Sequence, residues 1–123
     1  MSSPLRAECP CGSATPYDAC CGRLHRGEAQ AATPEELMRS RYSAFVMCEV
    51  DHLFRTWHPR TRPDDVSVDL RVTWTGLEVL RSGEDGDHGV VEFRAHHDGG
   101  VMHEVSRFER RAGRWFYVDG DVS

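Results

Sequence analysis

The sequence predicts an α+β fold: helices packed on a curved antiparallel sheet, with a small N-terminal metal knuckle. Three observations predict it. Thr33-Pro34-Glu35-Glu36 is a helix-start signature, apolar and polar residues alternate from Val66 between glycine turns, and four cysteines fall within the thirteen residues 9–21.

At 123 residues the chain has room for one hydrophobic core, so the cysteine segment needs something other than a core of its own to fold it. Hydrophobic residues make up 39% and no run approaches the roughly 20 apolar residues of a membrane span, which predicts a soluble protein. "MSSPLRAEC" has no apolar stretch behind a basic one, so no secretory signal is read and a cytoplasmic location is expected. Net charge is -5 and all 15 positive residues are arginine, with no lysine, which weighs against a broad nucleic-acid surface.

The elements follow in order. Thr33 caps a helix over 34–48, with Pro34 at its first position and Glu36 completing a capping box. Asp51 caps a shorter helix, "HLFRTW", that stops before Pro59. Val66, Val68, Leu70, Val72 and Trp74 alternate as a half-buried strand, and Gly76 carries a bulge because Leu77 and Val79 continue the apolar face on odd numbers. "SGEDGDHG" reads as a loop, "VVEFRAHH", "VMHEVSRFERR" and "RWFYVD" as strands, and "DGG" and "AG" as turns. The chain divides into a cysteine segment with its connector, 1–32, and an α+β domain, 33–123.

Register predicts which side chains share the core face. A turn at Ala112-Gly113 sets Arg110 opposite Trp115, Phe108 opposite Tyr117 and Ser106 opposite Asp119. A turn at Gly99-Gly100 adds Val91, Phe93, Ala95, Met102, Glu104 and His97 to that face. Glu104, Ser106 and Asp119 are polar intruders there. On the long helix Arg41 falls inside the stripe of Ala44, Leu37, Cys48, Phe45 and Met38. A charge aimed at a core needs a partner, so Arg41 either pairs with Glu104 or Asp119 or binds a ligand in an open cavity. Tyr42 lies at the stripe's edge.

The thiol spacing is C-x-C-x8-C-C, from Cys9, Cys11, Cys20 and Cys21. Such pairs converge readily on one tetrahedral ion of zinc type, and Arg6, Arg23 or Arg26 would offset the thiolate charge; two disulfides and thiol redox chemistry are the other readings. His25 is the alternate ligand. Cys48 reads as packing, His52 and His58 as surface or helix-end residues, and His96 with His103 as two ligands, too few for an ion.

"CPCGSATPYDACC" resembles the SEC-C motif, the metal-binding segment at the C-terminus of the SecA translocation motor, and its ligand positions carry over to Cys9, Cys11, Cys20 and Cys21. "LMRSRYSAF", "W.GLEVL" and "SRFER..GRW.YVDG" resemble the YchJ-like family of bacterial proteins, over nearly the whole chain. The resemblance implies a nuclear transport factor 2-like (cystatin-like) cone and a bound Zn2+, with iron the other ion raised for relatives. It brings no reaction with it. Two functions compete: a knuckle that serves structure or contacts a protein partner, and a small-molecule or acid-base site in the cone, with Arg41, Tyr42, Glu104, Ser106 and Asp119 as pocket residues and His52 and His58 as further candidates. Phe108, Trp115 and Tyr117 read as core; a nucleic-acid role would fall to Arg39, Arg60 and Arg62.

Overall fold

The computed structural model describes residues 7–123; Arg6 lies outside the described residues. A 3-10 turn (Tyr17–Ala19) leads into α1 (Cys21–His25), followed by α2 (Pro34–Met47) and α3 (Val50–Thr56). Four strands follow: β1 (Trp74–Asp85), β2 (His88–His97), β3 (Gly100–Arg111) and β4 (Arg114–Val122), paired in sequential order as one antiparallel sheet. This is the α+β class expected, with helices on one face of a curved sheet and the cysteine segment as a small knuckle.

α2 starts as its sequence requires. Thr33 Oγ1 accepts from Glu36 N at 3.1 Å, and the Glu36 carboxylate reaches back one residue further than a standard capping box, to Ala32 N at 2.7 Å. Its end corrects one expectation. The helix stops at Met47 and Cys48 turns into left-handed geometry (φ 58°), so Cys48 leaves the buried stripe and is exposed rather than packed. Glu49 N bonds back to Ala44 O, and α3 begins at once, with Glu49 rather than Asp51 at its N-cap.

Residues 66–73 are not the predicted strand. Val72 N bonds to Asp69 O while Asp69 Oδ1 accepts from Arg71 N at 3.0 Å; this aspartate-centred turn breaks the alternation and leaves Leu70 80% exposed. The sheet begins instead at Trp74. Its register slips between Trp74 and Gly76, where the bulge was expected, and again between Val79 and Arg81. "SGED" extends β1, so the first hairpin turns on Gly86-Asp87 alone, with Gly86 at φ 60°. The second turns on Asp98-Gly99, not Gly99-Gly100: His97 pairs with Gly100, and Phe93 with Glu104. That two-residue correction preserves which face each residue occupies.

β3 and β4 pair as predicted from Arg110-Trp115 to Phe108-Tyr117, and then slip. Val118 is bulged out, so Ser106 meets Gly120, and Asp119 pairs with Arg107 on the outer face. The core between α2 and the sheet contains Leu37, Met38, Tyr42, Val91, Phe93, Ala95, Phe108 and Trp115, joined by Leu24 and Ala31 from the N-terminal segment.

Candidate functional site

Two places gather chemistry, one on each side of α2. On the first, Cys9 and Cys11 flank a tight turn closed by Gly12 N donating to Cys9 O, with Gly12 at φ 83°, while Cys20 and Cys21 arrive at the start of α1. The four sulfurs all lie within 4.8 Å of one another, and Cys9, Cys11 and Cys21 are buried. Cys11 and Cys20 Sγ are 3.7 Å apart, close to the ~3.8 Å edge of a tetrahedron of sulfurs placed ~2.3 Å from an ion and far from a disulfide's ~2.05 Å. Hydrogen bonds from the Cys11 and Cys21 thiols hold the Cys9 thiol far below its ordinary range, and the same crowding, led by Cys11 and then Cys9, pushes Cys21 far above it. A divalent cation placed among four such sulfurs would let all four ionise.

α2 supplies the knuckle's seat. Glu36, Arg39, Ser40 and Ser43 recur at three- and four-residue steps and so share one stripe. Ser43 Oγ lies 3.5 Å from Cys9 Sγ, and Arg39 Nη1 donates to Cys11 O at 2.6 Å while its Nε binds Glu35. Arg23 Nε donates to Cys20 O and its Nη2 binds Glu36. Ser13 Oγ lies 3.1 Å from Cys20 Sγ. Of the arginines expected to offset thiolate charge, Arg23 is at the site and Arg26 is held by Asp18 and Glu28; Arg39, a nucleic-acid candidate from the sequence, is the second arginine at the knuckle. His25 is no ligand: Nδ1 accepts from Tyr17 Oη at 2.6 Å and Nε2 donates to Ser40 O at 2.8 Å.

On the other side of α2 a cavity of about 270 Å³ lies between helix and sheet, lined by Arg41, Tyr42, Phe45, Trp57, Trp74, Phe93, Met102, Glu104, Ser106 and Tyr117 among others. Arg41 is 6% exposed. Its Nη1 donates to Leu53 O at 3.1 Å and to Thr56 Oγ1 at 2.7 Å, and its guanidinium carbon sits 4.5 Å from the Tyr117 ring centre and 5.0 Å from that of Trp57. Burial lowers its pKa to about 10, against the raising effect of Tyr117 and Glu104, so it stays charged near neutrality. Glu104 Oε2 accepts from Ser106 Oγ and from Tyr117 Oη. Burial, then the Glu104 charge, pushes the Tyr117 phenol up to about 12.

Residues 33–120 match the family model described as YchJ, middle NTF2-like domain. The chain belongs to the YchJ-like family. Residues 7–23 match the SEC-C motif, as the thiol spacing led one to expect. A UPF0225 protein of Streptomyces avermitilis is 54% identical, over 98% of this chain and 88% of the relative. A SEC-C motif containing protein from Rhodopseudomonas palustris, solved in solution, superposes with a TM-score of 0.83 at 38% identity, covering 94% of this chain and 98% of that one. A SEC-C motif containing protein from Psychrobacter arcticus gives 0.75 at 30%, covering 97% and 84%.

In this YchJ-like chain the five predicted pocket residues divide. Arg41, Tyr42, Glu104 and Ser106 line the cavity together. Asp119 does not: the Val118 bulge turns it outward, its side chain is 53% exposed, and it binds Arg107. The expected ion pair is absent as well, since Arg41 and Glu104 each satisfy one atom on other partners. His52 and His58 are buried, at 2% and 3% exposure, not surface residues. His52 Nε2 meets Ser40 Oγ at 2.9 Å; the segment after α3 lies along β4, with His58 N donating to Tyr117 O at 2.7 Å. The single parallel bridge between Trp57 and Tyr117 also brings in Trp57, a lining residue the sequence did not single out. His96 and His103 bind separate carboxylates, Glu78 and Glu92. Arg60 binds Glu109 and Arg62 covers the Phe54 ring. No described helix is long and apolar enough to cross a membrane.

Proposed function

We propose that the chain is a zinc-binding protein in which Cys9, Cys11, Cys20 and Cys21 hold one ion as thiolates, and that the closed knuckle is a structural clamp on α2 whose outer surface meets a protein partner in a reducing cytoplasm. The observation that carries this is the convergence of four sulfurs within 4.8 Å, with Ser43, Arg39 and Arg23 arranged around them. Four thiolates fill a tetrahedral ion's coordination, leaving no open position for substrate. The clamp reading also draws on Leu24, which follows the last ligand and enters the core of the cone. Native mass spectrometry of the whole protein tests it: one zinc per chain, lost with chelator and in Cys11→Ser, is the expected result. A metal-free chain that keeps its stability contradicts it. The same spectrum separates zinc from iron by mass.

A second reading concerns the cavity, favoured by Arg41: a buried guanidinium that lines an opening of about 270 Å³ with only Nη1 bound to protein acceptors. On this reading the cone holds a small molecule, with Glu104, Ser106 and Tyr42 as lining residues. Chemical-shift changes confined to the cavity residues when small fragments are titrated into the native protein would support it, and no change with any fragment would count against it.

A further inference from the structure

Resting on that cavity reading, we infer that the cone takes a small, neutral, largely apolar molecule carrying an amide-type group, whose carbonyl accepts from Arg41 and whose N–H donates to Glu104. The size of the cavity, about 270 Å³, falls just under the ~300 Å³ where small-molecule pockets begin, which limits the occupant to a ring with a short polar arm. Most of the wall is aromatic or thioether: Phe45, Trp74, Phe93 and Met102.

The polar positions decide the rest. Arg41 spends Nη1 on Leu53 and Thr56, which leaves Nε and Nη2 without an acceptor among the described residues. Glu104 spends Oε2 on Ser106 and Tyr117, which leaves Oε1 without a donor among the described residues. The Trp57 indole N–H has no partner among the described residues either, but it is sealed from the cavity space, so the ring lines the cavity without offering a donor to it. The cavity therefore offers unused donors and one unused carboxylate oxygen. A carbonyl oxygen has two lone pairs for two such donors, and an adjacent N–H suits the carboxylate.

Charge excludes the alternatives. An anion that pairs with Arg41 also faces Glu104 inside an apolar enclosure, and a cation that pairs with Glu104 faces Arg41; either leaves one buried charge opposed by its own sign. A neutral donor-acceptor group satisfies both walls and keeps the site balanced. The walls are prearranged for it. Tyr117 and Trp57 hold the guanidinium between them, and Gly120 lets the Glu104 side chain cross β4, since a Cβ at that position would overlap its carboxylate.

The test uses the full-length, metal-loaded protein and four probes of nearly equal shape: 2-phenylacetamide, phenylacetate, 2-phenylethylamine and propylbenzene, each titrated by calorimetry and by NMR of the protein. The expected result is tightest binding of the amide, at least about tenfold over each of the others, and a loss of about tenfold or more in Arg41→Met. Should Arg41→Met fail to fold, Glu104→Gln serves: removing the opposing charge is expected to raise the affinity for phenylacetate above its wild-type value. Preference for the anion, the cation or the hydrocarbon in wild type overturns the amide assignment while leaving a ligand cavity in place. No binding of any probe at millimolar concentration overturns the cavity reading beneath it.

Discussion

By sequence pattern Arg41 and Asp119 are both polar residues aimed at the core; in the fold only Arg41 is. Arg41 could be found because a 100° periodicity is rigid over three turns: nothing in 34–47 shifts its azimuth. Asp119 could not, because a single bulged residue, Val118, inverts every later side chain on β4 and leaves no signature in the sequence. Their substitutions should differ accordingly. Asp119→Ala removes an exposed pair with Arg107, which keeps Asp121, and is expected to change stability by less than about 1 kcal/mol. Arg41→Ala strands Leu53 O, empties the stack on Trp57 and Tyr117, and is expected to cost about 2–4 kcal/mol; urea midpoints at fixed slope measure both. His52 gives a pH dependence. Burial, with the nearby Arg41 and Arg55 charges adding to it, pushes its pKa down to about 3. Between pH 3 and 6.5 the unfolded chain binds a proton there that the folded chain refuses, so stability falls as pH drops through that window, by on the order of 1 kcal/mol per pH unit. His52→Gln should flatten the acid limb relative to wild type in denaturation curves taken from pH 7 to 4, and an unchanged slope would count against a neutral buried His52.

At the scale of elements, α2 was half legible. Its apolar stripe, Leu37, Met38, Arg41, Tyr42 and Phe45, could be read because hydrophobic periodicity marks a core face. Its second stripe, Glu36, Arg39, Ser40 and Ser43, reads as solvated surface until the knuckle is seen to cover it; the recurrence of small serines on a helix of large residues was the available signal. Strand existence was legible from β2 onward, whereas 66–73 mimicked a strand by alternation while Asp69 supplied the turn. Gly89 shows an element junction that composition hides. A Cβ there would run into the Pro34 ring and approach Trp115 at 3.3 Å, so the first turn of α2 can lie on β2 only over a glycine. Gly89→Ala is expected to lower stability by about 1–3 kcal/mol and to broaden amide signals around residues 33–36, whereas Gly83→Ala, in open space on β1, should not.

For the whole molecule, knuckle and cone form one mechanical unit. Leu24 and Ala31 pack into the cone's core, Arg55 from α3 donates to His25 O at 3.1 Å, and the His25 ring lies 4.7 Å from that of His52, tilted by 54°. Length and cysteine spacing made the knuckle itself legible; its attachment was not, because hydrogen bonds between residues 13 to 34 positions apart, from Arg23 with Glu36 to Cys9 with Ser43, leave no local pattern. Removing the ion should therefore move the entire unfolding transition to lower temperature as one step, by about 10 °C or more, instead of producing a separate early transition. Differential scanning calorimetry with and without chelator reads this directly. The claim on which the account turns is that four thiolates enclose one ion, and X-ray absorption at the zinc edge of the freshly purified protein measures it most directly. Four sulfur scatterers at ~2.3 Å, with no nitrogen or oxygen in the first shell, are the predicted result. A shell containing nitrogen or oxygen, or a protein with no metal edge and full stability, would contradict it.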